Sequence, residues 1–187
     1  MKVLALSASP HPNGNSSFLV DRLLEGAREA GAETERVDLN LLSFRGCQGD
    51  YACKATGRCG LQDDMQGIYD KLDQADAVVF ASPVYMWGIN AQLKTLMDRL
   101  YAYLKPDHTS AVKPGMRSAL VVAQNQPSVE KFQASLENTA TCLAFLGFGQ
   151  TEVLVGAGLG PLDAASRRPD LIAKAKDLGR RLAAREN

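Results

Sequence analysis

Apolar residues recur along the chain in an alternating order, first a short continuous run and then a longer stretch with helical spacing. Lys2–Ser7 (KVLALS) and residues 77–82 (AVVFAS) each contain at least four consecutive apolar residues, which is typical of strands buried on both faces. Between them, Val20, Leu23 and Ala27 lie three or four residues apart, as on the buried face of a helix. The pattern predicts strands that alternate with helices.

Five strands and five helices are predicted. The strands are Lys2–Ser7, Glu33–Asp38, 77–82, Arg117–Ala123 and 150–155. The helices are 16–30, 64–75, 91–104, 129–146 and 169–185, and residues 40–63 are predicted to be irregular. This order predicts an α/β fold, a doubly wound five-stranded parallel sheet with helices on both faces and right-handed crossovers. Because neither a repeat nor a linker interrupts the pattern, residues 1–187 are interpreted as a single domain.

The charged residues are balanced, since 21 Lys and Arg are matched by 21 Asp and Glu and the formal net charge is zero. An even mixture of signs disfavours a nucleic-acid partner. The apolar run in the N-terminal MKVLALSASP is too short for a secretory signal or a membrane span. We therefore expect a cytoplasmic protein without a membrane partner, in which the isolated Cys142 is a small core residue.

A ligand site is expected beyond the carboxyl ends of the strands, and the first loop there is SASPHPNGNSS, residues 7–17. It leads directly into a helix, whose free N–H groups and dipole favour an anion such as phosphate. The loop matches neither GxGxxG nor GxxxxGK[ST], which argues against a dinucleotide and a nucleoside triphosphate. In the alternative interpretation, Asn15 or Ser16 only caps the helix and His11 is a surface residue. The candidate side-chain donors are Ser9, His11, Asn15, Ser16 and Ser17.

The loop after the third predicted strand, SPVYMWGIN, contains Tyr85, Met86 and the only tryptophan, Trp87. Large apolar side chains at this edge would be covered by a flat aromatic ligand or a second subunit, or would fold back into the core. Backbone N–H groups between Val84 and Gly88 could bind the polar edge of a ring. After the fourth strand, the amides of Gln124 and Asn125 could bind a ring edge or could be ordinary loop residues.

Taken together, these loops resemble the flavodoxin-like NAD(P)H-dependent FMN reductase family, and within it the iron-sulfur flavoprotein branch. The resemblance includes DDM at residues 63–65 and ASPVYMWGINAQLKTLMDR at 81–99, so that its motifs lie within residues 1–105. It implies bound FMN, NAD(P)H as co-substrate, and a homodimer or higher homo-oligomer with each flavin near the neighbouring subunit. The candidate cofactor-binding residues are Ser9, His11, Asn15, Ser16, Ser17, Pro83, Val84, Tyr85, Met86, Trp87, Gly88, Gln124 and Asn125.

The stretch CQGDYACKATGRC holds Cys47, Cys53 and Cys59, with Asp50 between the first two. In the iron-sulfur branch, four cysteines in such a run bind a cluster, and here Asp50 occupies the second ligand position. Oxygen is a harder donor than cluster iron prefers, so we expect an iron-free loop and no metal site. The alternative is that three thiols and one carboxylate still hold a four-iron cluster.

The function expected from the resemblance is transfer of electrons from NAD(P)H through FMN to a quinone, nitroaromatic, free flavin or protein acceptor. FMN itself carries the electrons, so no catalytic side chain is required. Lys94, Asp98 and Arg99 are interpreted as a salt-bridged helix face without a catalytic role. Two alternatives stay open, a non-enzymatic electron carrier of the flavodoxin or iron-sulfur type and a regulatory module that has lost its cofactor.

Overall fold

Six strands form the sheet in the computed structural model, which describes residues 1–184. They are β1 (Lys2–Ser7), β2 (Glu33–Asp38), β3 (Ala77–Tyr85), β4 (Gly88–Ile89), β5 (Arg117–Ala123) and β6 (Thr151–Gly156). Five of them run parallel in the order β2-β1-β3-β5-β6, while β4 pairs antiparallel with the end of β3. The predicted doubly wound parallel sheet is confirmed, and the sixth strand is a two-residue addition that periodicity does not reveal.

The helices lie where amphipathic spacing predicts them, with differences at their ends. They are α1 (Asn15–Glu29), α2 (Cys53–Thr56), α3 (Met65–Gln74), α4 (Ala91–Arg99), α5 (Gln133–Leu143) and α6 (Pro169–Ala183). The predicted helix 91–104 continues beyond α4 only as the 3-10 turn Leu100–Tyr103. In the predicted helix 129–146, α5 is preceded by a 3-10 turn, Glu130–Phe132, and followed by a π-helical turn, Ala144–Phe148. The short α2 lies inside the segment predicted to be irregular, and Arg185 lies outside the described residues.

The core lies on both faces of the sheet because side chains of a strand alternate. Val3 and Ala5 of β1 point toward α1 and α6, whereas Leu4 and Leu6 pack with α3, α4 and α5. All four are fully buried. Cys142, in contrast, is exposed on α5, so its predicted core position is wrong; the buried Leu143 occupies the inward position beside it.

The helices α1 and α6 approach so closely that only glycine fits between them. A Cβ on Gly26 would lie 2.0 Å from the carbonyl oxygen of Lys176, and one on Gly179 would lie 1.9 Å from that of Leu23. The two glycines therefore set the distance between these helices. Since α1 also begins at the carboxyl edge of the sheet, this contact holds the helix whose N-terminus borders the candidate site.

None of the helices within residues 1–184 is long and apolar enough to cross a lipid bilayer.

Candidate functional site

The loops after β1, β3, β5 and β6 meet around one cavity of about 210 Å³ at the carboxyl edge of the sheet. This is the edge at which ligands bind in doubly wound sheets, between the neighbouring strands β1 and β3. The cavity is smaller than a typical cofactor pocket, so a large ligand would extend beyond it. Its lining comprises Ser9, His11, Gly14, Asn15, Ser16, Pro83, Val84, Tyr85, Ala123, Asn125, Leu159, Gly160 and Leu162.

Eight of the thirteen residues predicted from the sequence lie in this lining, and the structure places the other five nearby. Ser17 is buried beneath the first loop, and Gln124 is buried behind Asn125. Met86, Trp87 and Gly88 form the end of a hairpin beside the cavity. Sequence reasoning missed Gly14, Ala123 and the whole wall formed by Leu159, Gly160 and Leu162.

A larger and more open hollow of about 480 Å³ lies at the opposite, amino edge of the sheet. It is bordered by Met1, Asp76 and residues 113–117, and the charges of Asp76 and Lys113 are paired with each other. We select the smaller cavity as the candidate site because a helix N-terminus and an aromatic hairpin meet there. The volume of the larger hollow does not by itself indicate a ligand.

The first loop is held in shape by the backbone carbonyl of His11. This oxygen accepts hydrogen bonds from Ser9 Oγ at 2.9 Å, Ser17 Oγ at 3.1 Å and the Gly14 N–H at 2.9 Å. A Cβ on Gly14 would lie 3.0 Å from the His11 Cβ, so the turn is tight enough to favour glycine there. The Ser17 hydroxyl, fully buried, thus supports the loop from below.

The N-terminus of α1 opens into the cavity with its donors free of the helix. The first bond onto the helix runs from the Phe18 N–H to the Gly14 carbonyl at 2.9 Å. An α-helix therefore leaves the N–H groups of Asn15, Ser16 and Ser17 without an intrahelical acceptor. The first turn contains no acidic residue. Free donors and the positive end of the helix dipole make this a favourable position for an anion.

Two of the predicted amide side chains are bonded within the protein. Asn15 Nδ2 donates to the carbonyls of Leu159 and Pro161 at 3.2 and 2.7 Å. Gln124 Nε2 donates to the carbonyls of Gln126 and Ser128 at 3.1 and 2.7 Å. Both amides hold loops together, so any donation by Asn15 to a ligand would come from its backbone N–H.

The hairpin between β3 and β4 is strained at its two central residues. Tyr85 pairs with Gly88, and Met86 and Trp87 between them have φ of 42° and 73°. A two-residue hairpin with both φ values positive is a type I′ turn, for which Asn and Gly are the usual residues. A methionine and a tryptophan in this conformation cost free energy, and such strain is typical of functional sites.

The strain presents large apolar side chains to solvent. Tyr85, Met86 and Trp87 are 45%, 91% and 64% exposed. Trp87 contacts Phe132 edge to face, with ring centroids 5.9 Å apart, and the Lys131 ammonium lies 5.7 Å from the Trp87 ring. The alternative that these side chains fold back into the core is therefore wrong, and they form an apolar surface beside the cavity.

Asn90 organises three segments around the site and was not among the predicted residues. Its side chain is 99% buried; Nδ2 donates to the Ala8 carbonyl at 2.6 Å, and Oδ1 accepts from the Leu93 N–H at 3.2 Å. Its own N–H donates to Ser82 Oγ at 2.9 Å. The sequence signal for Asn90 is its position before an amphipathic stretch, where Asn caps a helix.

Arg99 points into the protein rather than along a salt-bridged helix face. Lys94 and Asp98 do form the expected exposed pair at 2.6 Å, but the Arg99 guanidinium is buried and bonds both oxygens of Asp63 at 2.8 and 3.1 Å. It also donates to the Arg45 carbonyl at 2.8 Å. This network anchors the start of the cysteine loop to α3 and α4 through Asp63, the first residue of DDM.

Burial and hydrogen bonding shift the pKa of Asp63 in opposite directions. Burial disfavours the charged carboxylate, but hydrogen bonds from Arg99 and from the N–H groups of Arg45 and Met65 outweigh it and lower the pKa of Asp63. The Arg99 pKa is raised despite burial, because Asp63 stabilises its charge. Both side chains are therefore charged near neutral pH.

The cysteine loop encloses a second cavity of about 180 Å³. Cys47, Asp50, Cys53 and Cys59 all line it, together with Arg99. Asp50 Oδ1 accepts a hydrogen bond from the Ala52 N–H at 3.0 Å, so one carboxylate oxygen is already used in a local turn. Among residues 1–184, no three His, Cys, Asp or Glu side chains are placed to hold a single metal ion.

Comparison with known proteins relates the chain to iron-sulfur flavoproteins. It is 43% identical over 99 residues to an iron-sulfur flavoprotein of Methanocaldococcus jannaschii, covering 53% of this chain and 51% of that one. It is 28% identical over 183 residues to an iron-sulfur flavoprotein of Archaeoglobus fulgidus, covering 98% and 79%. The first match thus spans about half of the relative's own length.

The fold is similar to that of a solved oxidoreductase. An NAD(P)H:quinone oxidoreductase from Methanothermobacter marburgensis superposes with a TM-score of 0.80 at 22% identity, covering 100% of this chain and 99% of that one. The family model of NADPH-dependent FMN reductases matches residues 1–155. The chain therefore belongs to the NADPH-dependent FMN reductase family and has a flavodoxin-like fold.

Proposed function

We propose that the protein transfers electrons from NAD(P)H through bound FMN to a quinone, nitroaromatic, free flavin or protein acceptor. The observation that carries this proposal is the meeting of an anion-favouring helix N-terminus and a strained aromatic hairpin at one cavity. FMN has the matching parts, a phosphate at one end and a flat ring at the other. The clustered thiols are consistent with a cytoplasmic protein, which we include in the proposal.

The residues present fit FMN. The first loop and the start of α1 would bind the phosphate, through backbone N–H groups and the hydroxyl of Ser16. The apolar side chains of the hairpin would cover the ring, with the backbone of Val84–Gly88 bonding its polar edge. Bound FMN would supply hydride and electron transfer. The chain itself would then have to bind the FMN phosphate, orient the ring and leave one side of the ring accessible.

Replacing Ser16 by alanine tests the phosphate position. We expect Ser16→Ala to weaken FMN binding by about 1 to 3 kcal/mol, because one hydrogen bond to a charged group is lost. Riboflavin, which lacks the phosphate, provides the control and should bind both proteins equally. Titrations followed by flavin fluorescence measure both ligands. Unchanged FMN affinity would mean that the Ser16 hydroxyl does not bind the phosphate.

The exposed hairpin also supports a homo-oligomer. We propose a homodimer, because twofold dimers are the commonest assemblies of soluble proteins. Met86 and Trp87 form an apolar surface that a second copy of the chain would cover. We expect Met86→Lys to weaken the dimer by about tenfold or more, since anchors at the centre of an interface dominate its stability. Val153→Lys, an exposed apolar position on β6, is the control. A wild-type monomer by light scattering with FMN bound would contradict the proposal.

We further propose that the cysteine loop holds no iron-sulfur cluster in this chain. The donor set is three thiols and one oxygen, and Asp50 already accepts a backbone hydrogen bond. In this proposal the loop has a structural role, and Arg99 holds it by bonding Arg45 and Asp63. Iron and acid-labile sulfide would be measured after anaerobic purification, with Asp50→Cys as the matched variant. We expect neither element in the wild type; about four of each per chain would mean that Asp50 is a ligand.

A second candidate function is a non-enzymatic electron carrier, which the names of the iron-sulfur flavoprotein relatives favour. The absorption spectrum of the purified protein separates the two. Flavin bands alone support the reductase, whereas additional broad iron-sulfur absorbance supports the carrier. A protein that shows no flavin absorbance after addition of FMN and removal of the unbound flavin would instead indicate a regulatory module.

A further inference from the structure

The side chain of Asn15 connects the first loop to a segment that follows it by about 150 residues. Asn15 is 91% buried, and its two donor bonds run to the Leu159 and Pro161 carbonyls at 3.2 and 2.7 Å. Its Oδ1 accepts from the Ala165 N–H at 2.8 Å. Because an amide has two N–H donors and one oxygen acceptor, all of its groups are bonded to residues 159–165.

That segment is one wall of the candidate cavity. Leu159, Gly160 and Leu162 line it together with residues at the start of α1. The wall is joined on its other side to the loop after β5, since the Leu159 N–H donates to the Gln124 carbonyl at 2.9 Å. A Cβ on Gly160 would lie 2.8 Å from Asn125 Oδ1, so the wall and that loop are in close contact.

We propose that Asn15 is a positioning residue that sets the wall 159–162 against the helix N-terminus, and does not bind the phosphate through its amide. Its backbone N–H and its side chain then have separate roles, the first toward the anion and the second toward the wall. The inference rests on the proposed function in one respect only, that the ligand of the cavity is a flavin. Removal of the Asn15 amide would loosen the wall along the whole ligand rather than at its phosphate.

The test compares Asn15→Ala with Asn13→Ala, an exposed asparagine in the same loop. FMN and riboflavin are titrated against both variants and the wild type by flavin fluorescence. We expect Asn15→Ala to weaken both flavins by a similar factor of about ten, since three hydrogen bonds that hold the wall are lost. Asn13→Ala should bind like the wild type. Loss of FMN affinity with riboflavin unchanged, or no loss for either flavin, would overturn the proposal.

Hydrogen exchange on the protein without added ligand separates this inference from the proposed function. The segment 157–168 should exchange about tenfold faster or more in Asn15→Ala than in Asn13→Ala, because the Ala165 N–H has lost its acceptor. If this difference appears but no flavin binds the wild type, the positioning role stands and the flavin proposal fails. Equal exchange in the two variants would overturn the positioning role. Should Asn15→Ala fail to fold, Asn15→Ser provides the same comparison.

Discussion

Gly179→Ala is expected to destabilise the protein by about 3 kcal/mol or more, although alanine is the better helix former. The added Cβ would lie 1.9 Å from the Leu23 carbonyl oxygen and 2.9 Å from the Ala27 nitrogen, both of them backbone atoms of α1. Neither can move without separating the two helices and exposing the core between them. Urea denaturation should show a lower midpoint with an unchanged slope.

Gly67→Ala is the matched control for this prediction. Gly67 also lies within a helix, α3, but a Cβ there would meet no atom within 4 Å. The same substitution should therefore stabilise the protein by about 0.4 to 1 kcal/mol, mainly by restricting the unfolded chain. If Gly179→Ala were as stable as Gly67→Ala, the close contact between α1 and α6 would be wrong.

Arg99→Met is expected to lower the free energy of unfolding by about 3 to 5 kcal/mol, the usual effect of removing one partner of a buried ion pair. Asp63, whose side chain is 12% exposed, would be left without its counter-charge. Lys94→Met breaks an ion pair on the same helix that is exposed on both sides, and should change stability by less than about 1 kcal/mol. Similar effects of the two substitutions would contradict the buried position of Arg99.

The Arg99 effect should also depend on pH. The pKa of Asp63 is lowered in the folded protein, so its pairing contributes stability above the ordinary aspartate value of 3.8 and loses it as pH falls below that value. The difference between wild type and Arg99→Met should therefore be constant near neutral pH and shrink below about pH 4. Denaturant titrations over this range measure it. A difference that grew toward low pH would exclude the charged pair.

The sheet could be predicted from the sequence because burial on both faces leaves a local signal. AVVFAS and RSALVVA each contain five consecutive apolar residues, and each lies in a central strand. The loops at the carboxyl edge followed from the alternation of strands and helices, since parallel strands end at one edge. Local patterns therefore placed the elements and the edge that carries the site.

The parts that sequence reasoning missed depend on contacts between distant segments. Arg99 has the local environment of an exposed helix face, and only its partner 36 residues earlier explains its burial. The wall at 159–162 has no motif, and it reaches the cavity through Asn15, far away in the chain. The strain at Met86 and Trp87 is likewise invisible in composition, because neither residue type is favoured in a type I′ turn.

Anaerobic mixing of the FMN-loaded protein with NADH or NADPH tests whether the chain uses NAD(P)H to reduce bound FMN. We expect the flavin absorbance to bleach with at least one of the two nicotinamides and to return when a quinone is added. A protein that binds FMN but keeps its full flavin absorbance with both nicotinamides would contradict this expectation.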